Sequence, residues 1–477
     1  MHKITTTTII CVLALLLLAL AACNTQDPTP QQYTLNELLD IARERRLAIQ
    51  PPDYQWILDE FHSREATVPL QPSSDNDAVL PVSPLYVTTQ GAIDDIMLLF
   101  HVLRSSYGPY IYFGGDDVFF PFRDALIDEI QDIVNTYGEI RTTEFHRIVL
   151  AGLRSVIDDN HFLFNGRLIG RSATFFASDT PFDRNEQGFW HRESGRRVVE
   201  IEGHDMYSVL RVSMDEQANV FYSAVIYTLE PPGLPRRILN LVFEDGSTYE
   251  LVLQRHVPDR REYEPTRLEW VNGIPIITFR WLMMRHVETT FAPVEQVHEA
   301  ALQTRNFLSY ASELRGEPIV VVDIRGNPGG NGVCDIFLHR LMGSFVPVNH
   351  ARIAGRALTT TPRQGPLINS DTMIVLVADR HTASAGEMFV DRLFSMENTL
   401  VVGQNTFGMV VAGGVPGVSS FLSLPHSHSG FHVGFSNAFF SHPQGHVREG
   451  VGYAPDIWVH GDALTAALAL IDNNRDD

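Results

Sequence analysis

A layered α/β fold is predicted for the C-terminal part of this 477-residue chain, and three observations predict it. From Gly273 onward, apolar runs of strand length alternate with stretches of helical spacing. Two of the turns between them are built from small residues. One is Arg325-Gly326-Asn327-Pro328-Gly329-Gly330-Asn331-Gly332; the other is Thr382-Ala383-Ser384-Ala385-Gly386-Glu387. The chain is also long enough for two or three domains with a substantial buried core. The expected strands are Ile274 to Phe279, Pro318 to Ile324, Met373 to Val377 and Leu400 to Val402. Helices are expected over Pro293 to Leu314, through Ile336, Leu338 and Met342, through Met388, Phe389, Leu393 and Phe394, and near Ala463 to Ile471.

The part before Gly273 reads differently. Thr34-Leu35-Asn36-Glu37 matches a capping box and opens a helix with Leu35, Leu38, Leu39 and Ala42 on one face. Further helices are expected around Tyr54 to His62, over Ala92 to Arg104 with Ile93, Met97 and Phe100 inward, and over Phe122 to Tyr137 with Gly138 as C-cap. Another begins near Thr142 and runs through Phe145, Ile148, Val149, Leu153 and Val156. It ends in Ile157-Asp158-Asp159-Asn160-His161-Phe162, which places a histidine just past a helix and before an apolar strand. Val68 to Pro84 is a loop by composition. Between Arg196 and Arg255 the texture becomes β-rich, with Val198 to Asp205, Leu239 to Phe243 and Tyr249 to Leu253 as short strands and Asp245-Gly246 as a hairpin turn.

Composition excludes some partners. Apolar residues make up 44% and charged residues 19%, an ordinary globular balance, while the formal charge of −21 disfavours nucleic acid and anionic lipid surfaces. Lys3 gives a weakly basic start, and Ile9 to Ala22 is apolar but short for a membrane span. Leu20-Ala21-Ala22-Cys23 resembles the lipobox of bacterial lipoproteins. That resemblance implies a signal peptide over 1–22, lipid on Cys23 and a flexible tether over 23–33. It also implies a cell-envelope location facing the periplasm or exterior, with the membrane touched only through that anchor. Cys11 would leave with the signal, so Cys334 is the only other cysteine and no internal disulfide is expected. Lys3 is the only lysine in the chain.

Ser384 sits where small residues let a hydroxyl stand exposed at a strand-to-helix turn, with helix amides pointing at whatever it attacks. A serine needs a base, and His161 is held between two rigid elements. His426, His428 and His432 form an H-x-H-x₃-H string, read as a solvated strand edge rather than a metal site. No metal and no cofactor are expected.

Three strings together resemble the tail-specific (C-terminal processing) serine protease family. They are Asp323-Ile324-Arg325-Gly326-Asn327-Pro328-Gly329-Gly330, Thr382 to Glu387, and Gly450-Val451-Gly452-Tyr453-Ala454-Pro455-Asp456-Ile457. The match covers roughly Gly273 to His460. It implies a crotonase-like layered α/β protease domain over 270–477, an N-terminal helical region over 34–175 and a small, degraded PDZ-like β module over 185–260. Where the Ser/Lys branch of the family carries its lysine, Thr406-Phe407-Gly408-Met409-Val410 has Met409, and no other lysine follows Lys3. A thioether cannot take a proton at neutral pH, so that dyad is excluded. Resemblance to the tricorn-like Ser/His/Glu branch implies Ser384 as nucleophile, His161 as base and Glu449 as the carboxylate that orients it. It also implies Gly329, Gly330 and Ala385 as oxyanion-hole donors. Asn160 stands where that branch has an assisting serine. The implied activity is an exported serine endopeptidase acting on peptides or unfolded protein. The alternative is a catalytically inactive relative that binds peptides or small ligands, which the methionine at 409 favours.

Overall fold

The computed structural model describes residues 33–49, 56–57, 60, 84–230, 233, 235–258, 266–282, 302, 311–330, 350–353, 356–359, 371–394, 396–413, 421–423, 427–436, 438–440 and 448–475. The expected signal peptide, Cys23 and residues 24–32 of its tether lie outside them. So do Cys334, His426, nearly all of the helix expected over Pro293 to Leu314 and the one expected through Ile336 to Met342.

Helix α1 (Leu35–Ala48) opens with the expected capping box, Thr34 and Glu37 each bonding the other's backbone amide. Helices α2 (Thr89–Ser106), α3 (Gly115–Tyr137) and α4 (Thr142–Val156) follow, α3 closed by Gly138 in the left-handed region at φ +86°. The face of α2 differs from expectation. Met97 is exposed, and the buried stripe is Ala92, Ile96, Leu99, Phe100 and Leu103. The rotation is set by Asp95, which is buried because its carboxylate accepts the amides of His428 at 2.7 Å and Ser429 at 2.8 Å.

Eight strands of the β module come next: β1 (Thr174–Ala177), β2 (Phe182–Asn185), β3 (Gly188–His191), β4 (Arg196–Ile201), β5 (Leu210–Met214), β6 (Val220–Thr228), β7 (Arg236–Phe243) and β8 (Thr248–Arg255). Strand β1 precedes residue 185. Its order is β5-β6-β1-β8-β7-β4-β3-β2, and β2 pairs back to β6 through Tyr222 and Phe182, so the sheet closes on itself. Closure removes exposed edges that would otherwise template pairing with another chain.

The C-terminal strands are β9 (Arg267–Val271), β10 (Ile274–Thr278), β11 (Ile319–Asp323), β12 (Met373–Ala378), β13 (Thr399–Gly403) and β14 (Ile457–Val459). They form a sheet in that spatial order, parallel from β10 to β14, and β14 continues in parallel into β5 of the module. Because strand side chains alternate, Val320, Val322, Leu376 and Val401 join one core with the N-terminal helices and helix α5 (Ala385–Phe394). Val321, Val375, Val377, Leu400 and Val402 join another with α1, the module and helix α6 (Ala463–Asn473). The result is a mixed α/β fold, a large sheet with helices packed against it.

Candidate active site

The two small-residue turns lie at the C-terminal ends of adjacent parallel strands, β11 and β12, the end of an open α/β sheet where ligands ordinarily bind. They are laced together. Ala383 N donates to Asn327 O at 2.8 Å, Thr382 Oγ1 to Ile324 O at 3.0 Å and Gly326 N to Asp379 Oδ1 at 2.9 Å. Ser384 follows with φ +52°, a left-handed conformation that an L-residue keeps only where its surroundings hold it. Immediately after it α5 begins, so the amide of Ala385 is one of the helix's unpaired N-terminal donors.

Glu387 holds this turn in place. It is fully buried, and its Oε2 accepts the amides of Ser384 at 3.0 Å and Met409 at 2.7 Å. Its Oε1 accepts the amide of Gly408 at 2.7 Å and the hydroxyl of Thr406 at 2.5 Å. Burial pushes its pKa up, and these donors oppose that shift. Ser384-x-x-Glu387 is half of a capping box: the glutamate reaches back to the serine's amide, but the serine hydroxyl is turned elsewhere. The S-x-x-E spacing is the sequence signal that points to Glu387.

The serine hydroxyl faces His161. Nε2 lies 2.8 Å from Ser384 Oγ, across 223 residues of chain. Burial lowers the His161 pKa to about 4, so the ring is neutral at pH 7. His161 stands between the end of α4 and the short strand Leu163–Phe164, which pairs with His432–Gly434. Its Nδ1 is buried and makes no hydrogen bond.

Glu449 departs from its expected contact. It lies beside the loop but does not bond the imidazole. Oε1 accepts the amide of Asn160 at 2.8 Å, and Oε2 accepts those of Val410 at 2.8 Å and Val411 at 3.0 Å. The physical reason is that two loops meet here with backbone donors that need an acceptor when buried. The carboxyl nearest His161 Nδ1 is Asp159, at 3.8 Å. Asn160 points away from the ring, its side-chain amide donating to Gly408 O at 3.0 Å and Arg171 O at 3.2 Å.

The glycine turn also differs in part. Gly329 has φ +100°, and a Cβ there would stand 2.8 Å from Ala385 N and from Ser384 Cβ, so only glycine lets this turn approach the serine. Its amide, however, donates to Asn327 Oδ1 at 2.8 Å and is internally satisfied. Gly330 and Ala385 remain as candidate donors, and both line the cleft beside Ser384. Beside them the cleft is lined by Glu387 and by the apolar side chains of Met388, Met409, Val410 and Phe440. Beneath it the buried Arg380 guanidinium binds the carbonyls of Thr406, Val451, Ala173 and Gly450, tying the loop after β13 to the turn before β14.

Distance alone does not make a site. Ser223, His460 and Asp179 reproduce triad spacing, with Oγ to Nε2 2.9 Å and Nδ1 to Oδ1 2.9 Å. Yet Ser223 lies in mid-strand in β6, wholly buried, with its hydroxyl also 2.7 Å from Ser213 Oγ. No substrate can reach it. Ser384 differs in standing at an open cleft beside a helix N-terminus. Among the described residues no cluster of His, Cys, Asp and Glu fit to hold a metal is present, His428 and His432 included.

Residues 291–459 match the model of Peptidase family S41, a span that contains Ser384 and Glu449 but not His161. A putative tricorn protease homolog 2 from Streptomyces coelicolor is 28% identical over 177 residues, which is 33% of this chain and 13% of that protein. Among solved structures, mature CPAF is similar at 12% identity and TM-score 0.43, covering 81% of this chain and 98% of CPAF. The photosystem II D1 C-terminal processing protease is similar at 15% identity and TM-score 0.39, covering 77% of this chain and 92% of its own. The sequence matches support peptidase family S41, the family of C-terminal-processing and tricorn-like proteases.

Proposed function

We propose that this chain cleaves peptide bonds through an acyl-enzyme on Ser384, with His161 as general base. The observation that carries the reading is the 2.8 Å contact between His161 Nε2 and the hydroxyl of a left-handed serine at a helix N-terminus. In the first half-reaction Ser384 Oγ attacks the carbonyl carbon while its proton passes to Nε2. The oxyanion faces the amides of Gly330 and Ala385, and the leaving amine takes the proton from Nε2. Water then repeats the sequence and frees Ser384. Glu449 serves this site through the backbone, fixing Asn160 against Val410 and Val411 so that His161 is presented to the serine. The apolar walls of the cleft suit an uncharged side chain of a peptide or unfolded protein. The β module, in continuous sheet with β14, is the candidate site for the rest of that chain. Cys23, after Leu20-Ala21-Ala22, is the proposed lipid attachment point of an envelope-facing protein.

The test is incubation of purified protein with carboxymethylated casein, followed by mass spectrometry of the fragments. Cleavage that disappears in Ser384→Ala is expected. Fragments with new internal ends would mark an endopeptidase, and a ladder shortened only from the C-terminus a carboxypeptidase. An intact, folded protein that leaves several unfolded substrates untouched would instead favour the peptide-binding reading.

A further inference from the structure

Resting on the peptidase reading, we propose that Asp159, clamped by Tyr107, is the positioning residue that supports the charged form of His161. When Ser384 gives its proton to Nε2, the imidazolium carries a second N–H on Nδ1. That nitrogen is already buried and makes no hydrogen bond. A buried charge without a partner is costly, so the step needs an acceptor on that side. Both oxygens of Glu449 are engaged by three backbone amides. Asp159 Oδ1 lies 3.8 Å from Nδ1 and 2.7 Å from the His161 backbone amide, so the same oxygen that fixes the main chain faces the ring. The gap exceeds a hydrogen bond of about 3 Å by less than an ångström, which a small ring rotation closes.

Tyr107 makes Asp159 a defined partner. Its hydroxyl donates to Asp159 Oδ2 at 2.8 Å, and its ring is packed among Phe113, Phe162 and Phe435. Asp159 is wholly buried. Its neighbours from every side are Tyr107, His161, Glu449 across the loop, and Asp158, which is paired with Arg171 at 2.7 Å. Burial and the neighbouring negative charge hold Asp159 up to about 6, while its two hydrogen bonds oppose the rise. The Asp159 charge in turn raises Glu449, and the acid limb of reactivity is expected at the Asp159 value, above that of His161 at about 4.

The test is the pH dependence of the rate at which a fluorophosphonate probe labels Ser384, read from pH 4 to 9. Labelling forms the Oγ–P bond, breaks P–F, releases fluoride and sends the serine proton to His161, so it reports the base without needing the natural substrate. Three proteins are compared: wild type, Asp159→Asn and Tyr107→Phe, with circular dichroism to establish folding. Asp159→Asn should lower the rate at pH 8 on the order of 100-fold or more and move the acid limb down towards the histidine. Tyr107→Phe removes a donor to the carboxylate and should move the limb up by about one pH unit, with the rate at pH 9 retained. Should Asp159→Asn not fold, the direction of the Tyr107→Phe shift decides alone. A wild type that labels, beside folded variants whose rate and limb are unchanged, overturns the role of Asp159 and leaves the peptidase reading standing. A wild type that never labels overturns both.

Discussion

At the scale of single residues, the site depends on buried acceptors that gather backbone donors. Glu387 is the clearest case, since four donors converge on it and none has a replacement among the described residues. Glu387→Ala would remove the acceptor of all four donors, two of them, Gly408 N and Thr406 Oγ1, in buried contacts and two, Ser384 N and Met409 N, in half-buried ones. We predict a loss on the order of 3–5 kcal/mol, read as a lowered thermal midpoint, together with loss of fluorophosphonate labelling. Glu387→Gln, which keeps one acceptor oxygen, should cost less; equal midpoints for wild type and both variants would contradict this account. Glu449 carries the same lesson. Its position next to Gly450 is plain in the sequence, but a carboxylate's partner is decided by whichever donors the fold buries around it. Here those are the amides of Asn160, Val410 and Val411, not the imidazole.

At the scale of elements, the glycine turn after β11 and the serine turn after β12 form one unit. Gly329→Ala forces a Cβ to within 2.8 Å of Ser384 Cβ and Ala385 N at φ +100°. Expected are a destabilisation of about 1–3 kcal/mol and a labelling rate reduced at least tenfold, because the nucleophile and the Ala385 amide must shift. Labelling at the wild-type rate would show that the two turns are not coupled. Much at this scale was legible in the sequence. The capping box at Thr34, the Gly138 C-cap, strands β10 to β13 and the helix after Ser384 all follow from apolar period and turn chemistry. Other elements were hidden for identifiable reasons. In β6, six successive residues from Val220 are buried, so no alternation marks the strand. On α2, apolar spacing puts Met97 inward, because the sequence does not show that hydrogen bonds to the 427–429 loop bury Asp95 and turn its face to the core. The meeting of His161 with Ser384 is non-local, and only the family resemblance suggested it.

At the scale of the whole molecule, buried ion pairs tie distant segments to the central sheet. Arg46 of α1 pairs with Asp456 beside β14 and donates to Thr399 O at 2.9 Å. Asp456 also accepts the amide of Val401 at 2.7 Å. Arg46→Ala strands that carboxylate and should cost about 3–5 kcal/mol in chemical denaturation; a change below 1 kcal/mol would mean that α1 is dispensable. A second network runs from Arg280 and Arg325 to Asp323, and from Arg325 to Asp462 at 2.7 Å. Burial raises Asp323 and Asp462, but the arginines and hydrogen bonds outweigh it, leaving Asp323 below its ordinary value and Asp462 at about 2. Carboxylates held low in the folded state stabilise it above the unfolded pKa near ~4, and that contribution is lost as pH falls towards 2. Thermal midpoints measured from pH 5 to 2 should therefore fall, and fall less steeply in Asp462→Asn. A slope unchanged in that variant would remove Asp462 from the account.

The central claim is that His161 activates Ser384, and the most direct measurement is fluorophosphonate labelling of the purified protein with the modified peptide mapped by mass spectrometry. A single adduct on Ser384 is expected, absent in Ser384→Ala and reduced on the order of 1,000-fold or more in His161→Ala. Full-strength labelling of a folded His161→Ala protein, or an adduct on a different serine, would contradict it.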